Sequence, residues 1–182
     1  MGSGDDTFIL RDTQITDGVF NKNASIEFDD VDPSAINNGF DTFIYGNKGN
    51  PLGTTSQKID IHDNVKFDLS KISGLDHLID ISEMNFNVTL KQIDFNHGKN
   101  GFTATNSATG VQERIFFIDG GAKTKLDLRD LGLTADQDKK VEDYNTPDHH
   151  FGTDGATYNA YSSGSGFTVF VENSITQGNI LL

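Results

Sequence analysis

Short runs in which β-branched or aromatic residues alternate with polar ones recur between Gly39 and Leu128. They read FDTFIYG (40–46), KIDIH (58–62), VKFDLS (65–70), LIDIS (78–82), FNVTLKQIDF (86–95) and RIFFIDGG (114–121). Alternation with a period of two buries one face of a strand. The Asp, Ser, Asn and Gly that close each run supply turns and oxygen ligands. The pattern therefore predicts an all-β chain, mainly strand with a few short helices, and directs attention to the acidic strand ends such as Asp41.

Arg114 to Asp119 is the clearest strand, and Gly120-Gly121 is predicted to turn it back into Lys125–Leu128. The alternating runs 156–161 and 167–171 flank Ser163-Gly164-Ser165-Gly166 and read as a hairpin. The spacing of Phe67 to Ile81 resembles a solenoid rung and predicts that Leu69 and Ile81 stack. Helical stripes are confined to two or three short stretches near 70–80 and 88–96, while His97–Gly110 reads as a loop. Two architectures remain open, a β-solenoid-like stack and a two-sheet β-sandwich. The whole chain, 1–182, reads as one module: an acidic lead-in over 1–38 and a main β domain over 39–182.

The 182 residues, with 14 Phe among them, are enough for a packed core. A formal charge of −13, from 27 acidic and 14 basic residues, disfavours nucleic acid, because phosphate binding requires the opposite sign. The same balance favours bound cations, and Ca2+ in particular, whose preferred ligands are carboxylate and carbonyl oxygens. No cysteine is present, so neither disulfides nor thiolate metal sites stabilise the fold. No run approaches the roughly 18 apolar residues of a membrane helix, so direct membrane insertion is not expected.

Gly2 to Leu10, GSGDDTFIL, matches the second half of the calcium-binding nonapeptide G-G-x-G-x-D-x-U-x, with Asp6 as the ligand. Asp29, Asp30 and Asp32 form an acidic turn before Pro33 and are further candidate calcium ligands. They lack the glycine and glutamate of an EF-hand loop. Asp148 and Asp154 bracket His149, His150 and Phe151, mixing oxygen ligands with stacking surfaces. With Tyr144 and Tyr161 these three residues are the candidate ligand-binding set, against the competing reading that most of the aromatics belong to the core. Adjacent His149 and His150 rarely converge on one ion. His62, His77 and His97 are scattered, with no serine or acid placed to suggest a triad. The expectation is therefore not an enzyme, and a carbohydrate-active enzyme with paired carboxylates is the last alternative.

The quoted runs, with IFFIDGGAKTKLDL and DGATYNAYSSGSGFTVFVE, resemble modules from the outer region of large bacterial RTX adhesins. In that family a stretch ending -DG-x-x-GD-x-V-x-L leads, after an irregular segment, to DG-x-x-Y-x-x-Y and a final strand. Asp119-Gly120 and Lys125-Leu126-Asp127-Leu128 match the first part; Asp154-Gly155, Tyr158 and Tyr161 match the second. Lys123 and Lys125 stand where the family often has a second acidic turn. The resemblance covers roughly residues 39 to 182 and implies type I secretion, a place on the surface of a Gram-negative bacterium, and bound calcium between Asp119 and Asp127. It implies cell adhesion and biofilm formation through calcium-dependent binding of a peptide, protein or glycan on a host or neighbouring cell. The alternative it implies is a purely structural spacer or cap that touches only adjoining modules of the same adhesin.

Overall fold

The structure is a computed structural model that describes residues 5, 7–10, 26–27, 40–45, 64–69, 72–81, 85–96, 99–146, 150–164 and 166–182. Among them run the strands β1 (Thr7–Leu10), β2 (Ile26–Glu27), β3 (Thr42–Tyr45), β4 (Asn64–Asp68) and β5 (Ile72–Ser73). β6 (His77–Asp80), β7 (Asn85–Thr89), the one-turn helix α1 (Gln92–Phe95), β8 (Phe102–Thr105) and β9 (Gln112–Asp119) follow. The chain closes with β10 (Lys125–Asp127), β11 (Thr134–Ala135), β12 (Tyr158–Ser162), β13 (Phe167–Glu172) and β14 (Ile180–Leu181).

The mainly β expectation holds, and the topology decides between the two architectures. β1, β3, β6, β9 and β13 are parallel neighbours in one sheet. β4, β7, β10 and β14 are parallel neighbours in a second. β2 and β5 pair in parallel as a third, short face. From β3 onward each strand of the first sheet is followed by one of the second, so the chain winds as a solenoid whose rungs stack in register. Gly120-Gly121 accordingly carries β9 across to another sheet instead of reversing it into a hairpin.

Stacking explains the apolar pattern. Phe43, Leu78, Ile118 and Val171 form one ladder, and Phe67, Val88, Leu126 and Ile180 face it from the second sheet. The rings of Phe43 and Phe67 meet between the sheets at 5.1 Å. Just past the paired stretches, Leu69, Leu90 and Leu128 are each fully buried. Leu69 therefore aligns with Leu90 and not with Ile81: the rung length is set by which strands pair, which local spacing does not reveal. The stretch 77–80 is a strand, since His77 and Leu78 lie on opposite faces of a sheet that is buried on both; the helix near 88–96 is α1.

Two excursions interrupt the winding. The first, between β7 and β9, contains α1 and β8; Phe102 and Ala104 of β8 are buried and Thr103 and Thr105 exposed, a strand pattern inside the stretch read as loop. β8 pairs antiparallel with the first half of β9. The second excursion carries β11 and β12, which extend the first sheet antiparallel beyond β13, so the 156–171 hairpin forms as expected. It also sends Tyr144 and Phe151 over the outer face of the first sheet. There they form a second core with Ile115, Phe117, Ala160 and Phe170, and Phe117 stacks on Phe170 at 5.0 Å. This is why RIFFID does not alternate: Phe116 and Ile118 fill the solenoid, Ile115 and Phe117 the outer core.

Candidate functional site

β9 ends at Asp119, whose side chain lies on the same face of the sheet as His77 at the start of β6. His77 Nε2 is 3.0 Å from Asp119 Oδ1, and both side chains are almost wholly buried. The segment before β12 closes over them. Tyr158 OH donates to Asp119 Oδ1 at 2.7 Å, and Thr153 Oγ1 donates to Oδ2. The Thr153 N–H in turn donates to Tyr158 Oη at 2.8 Å. Gly152 makes this approach possible: its φ is +78°, and a Cβ there would sit 2.8 Å from Tyr158 Cε2. Burial alone raises the Asp119 carboxyl, but the His77 contact and the hydroxyls of Thr153 and Tyr158 outweigh it and hold the group below its ordinary 3.8. Burial first, and then the Asp119 charge, push the Tyr158 phenol above its ordinary value. Both oxygens of this carboxylate are occupied by protein donors.

Beside it, the β9–β10 turn borders a cavity of about 550 Å3. Its acids are likewise engaged: Asp80 accepts from Thr124 Oγ1 at 2.7 Å, and Glu172 Oε2 accepts from the Gly120 N–H at 3.0 Å. Asp127, one strand later, forks with Arg129 at 2.7 and 2.9 Å on the surface, and the guanidinium hydrogen bonds lower its carboxyl. Asp41 is fully buried; its N–H donates to Asp76 Oδ2 at 2.9 Å, and its carbonyl accepts from the N–H groups of Asp76 and His77.

These positions bear on the calcium expectation. Asp119 and Asp127 end strands of different sheets, and each is held by its own donors. Among the described residues no three His, Asp or Glu side chains converge as a metal site requires. Asp6, Asp29, Asp30, Asp32, Asp148 and His149 lie outside the described residues.

On the other side of the 150–158 segment lies a groove of about 820 Å3 over β12. His150, Phe151, Asp154 and Tyr161 of the sequence-derived set line it, together with Tyr158 and Asn159. His150 and Asp154 are exposed, whereas Phe151 packs on Phe40 at 5.2 Å and Tyr161 accepts from Gln177 Nε2 at 3.1 Å. Tyr144 belongs elsewhere: it is fully buried in the outer core, and its OH donates to Glu113 Oε2 at 3.0 Å. Glu113 also accepts from Lys139 and from Thr168 Oγ1, so this buried carboxylate too is neutralised from within.

His77, Thr153, Glu113 and Lys139 carry no signal of these roles in the sequence, because their partners lie 26 to 55 residues away along the chain. One clue was present: the matched pieces Asp119-Gly120 and Asp154-Gly155-x-x-Tyr158 are joined in space by the Tyr158–Asp119 hydrogen bond. Comparison with protein-family models, curated proteins and solved structures finds no match to this chain.

Proposed function

We propose that this chain is a recognition module of a bacterial surface adhesin that takes a peptide or glycan ligand in the groove over β12. The observation that carries the reading is that groove itself. Its wall is an edge of the first sheet, its lining sets the part-exposed Tyr158 beside Asn159, His150 and Asp154, and the Asp119 network braces the 150–158 segment from behind. An aromatic ring and fixed polar groups on a rigid support suit recognition of a hydroxyl-rich or peptide ligand. Secretion to the surface of a Gram-negative cell belongs to the same proposal and rests on the resemblance to RTX adhesins.

Calcium in this reading is held by carboxylates of the acidic set named from the sequence, Asp154 on the groove rim among them. Excess chelator then lowers the melting temperature, and calcium restores it better than magnesium, which holds its waters and demands stricter geometry. An unchanged melting curve removes calcium from the proposal.

The recognition claim is tested on peptide and glycan arrays with the native chain, with Asp154→Ala, and with Asn159→Trp, which fills the groove from an exposed position. Binding that both variants abolish while the melting temperature holds supports the groove. Binding that survives Asn159→Trp overturns it. A structural spacer is the second reading, favoured by the number of acids satisfied internally at Asp80, Glu113, Asp119 and Glu172; it predicts no hit on either array.

A further inference from the structure

Arg114 lies on β9, one residue after the buried Glu113, and lines a separate cleft of about 440 Å3 between α1, β8 and the start of β13. In a chain of net charge −13 an arginine ordinarily finds a carboxylate. Arg114 does not: the ion pairs among the described residues are Arg129–Asp127 and Lys139–Glu113, with the His77 ring beside Asp119. One guanidinium nitrogen donates to the Phe95 carbonyl at the end of α1, at 2.6 Å, while its Nε is buried with no acceptor. The side chain is nevertheless fixed. Gly101, at φ +86°, leaves room for its stem, because a Cβ there would lie 2.9 Å from Arg114 Cγ and 3.1 Å from Cδ.

We propose that this cleft is a binding subsite for a carboxylate-bearing sugar unit, such as a uronic acid residue of an acidic polysaccharide. The guanidinium charge selects a carboxylate, which it meets through nitrogens other than the buried Nε. The remaining walls select a sugar. Gln92, Asn96, Gln112 and Ser163 offer amides and a hydroxyl for ring hydroxyl groups. Phe167, half-buried against the buried Phe95 with the two rings 4.6 Å apart and tilted by 47°, gives an apolar wall for the sugar. Glu113 also borders the cleft, with its carboxylate held by Lys139, Tyr144 and Thr168, while negative charges beyond roughly 8 Å are screened at physiological salt. The subsite shares no lining residue with the groove over β12, so it stands or falls independently of that proposal.

The test titrates the full chain with a galacturonic acid oligomer and with its methyl ester, which keeps the shape and removes the charge. The acid binds saturably and the ester at least about tenfold more weakly, the factor a charged hydrogen bond of about 1.5–3 kcal/mol gives. Arg114→Gln loses the difference between acid and ester. Thr103→Trp, which fills the cleft from an exposed position on β8 and leaves Arg114 intact, abolishes binding at an unchanged melting temperature and covers the case in which Arg114→Gln fails to fold. Asn159→Trp and excess chelator have no effect. Equal binding of acid and ester, full binding by Thr103→Trp, or no saturable binding overturns the proposal. Tighter, Arg114-dependent binding of a peptide with a free C-terminal carboxylate overturns the sugar assignment.

Discussion

Asp119 and Asp127 end consecutive strands of the solenoid, eight residues of chain apart in a segment that matches one adhesin pattern, yet they meet opposite fates. Asp119 ends a strand covered on both faces; its side chain is 5% exposed and receives His77, Tyr158 and Thr153. Asp127 ends a strand of the second sheet, whose outward face is open, and its 25% exposed carboxylate forks with a surface arginine. The difference lies in what covers the strand end. The second excursion returns over the first sheet and brings donors with it, so the same residue type becomes a buried anchor in one place and a solvated surface group in the other. An acidic strand end is thus no calcium ligand by virtue of its type alone; its neighbours decide.

Removing the anchor should have the largest effect. Asp119→Ala removes the carboxylate that the buried His77 ring faces and that the Tyr158 and Thr153 hydroxyls bond, and hydrogen bonds to a charged group contribute about 1.5–3 kcal/mol each. Chemical denaturation reads this directly, and a loss under about 1 kcal/mol would show that the network contributes little. Gly152→Ala should come next, at about 1–3 kcal/mol, from strain at positive φ and overlap with the Tyr158 ring. Because it displaces Tyr158 without touching Asp119, it reports on closure of the 150–158 segment, and proteolysis within that segment should rise with it. Tyr158→Phe removes two hydrogen bonds, the one donated to Asp119 and the one accepted from the Thr153 N–H, while keeping the ring on Phe117, and should cost about 1–2 kcal/mol.

Acid sharpens the contrast with a smaller and gradual effect. The Asp119 carboxyl is lowered in the folded chain, so its contribution is complete above the ordinary value of 3.8 and is lost as pH falls below that through the folded value. Native stability measured against pH should fall over that window, and Asp119→Asn should flatten the fall. At the far end, Asp127→Ala should leave the melting temperature unchanged within error, since an exposed ion pair is screened by solvent. A clear drop there would mean that Asp127 holds something besides Arg129.

Period-two alternation made a mainly β chain legible in advance, because the pleat alone dictates that pattern. The 156–171 hairpin was equally legible, its glycine-serine turn being a local signal. So was the strand Arg114–Asp119, from its run of β-branched and aromatic residues. In the groove, His150, Phe151, Asp154 and Tyr161 stood out as a sequence-local mixture of rings and oxygens. What tertiary structure alone decided depends on distant partners. Leu69 stacks on Leu90 because β4 pairs with β7, a choice made by burial across the whole rung. β8 is a strand because Phe102 and Ala104 meet the outer face of β9. Tyr144 left the groove for the core because that same face needed covering, and Glu113 was there to accept its proton donor. His77 met Asp119, and Arg114 was left without a carboxylate, through the register of strands far apart in the chain. Local sequence sets what a residue prefers as its backbone and its face, while the energy of a buried charge or an aromatic contact is set by residues that only the completed fold brings within a few ångströms.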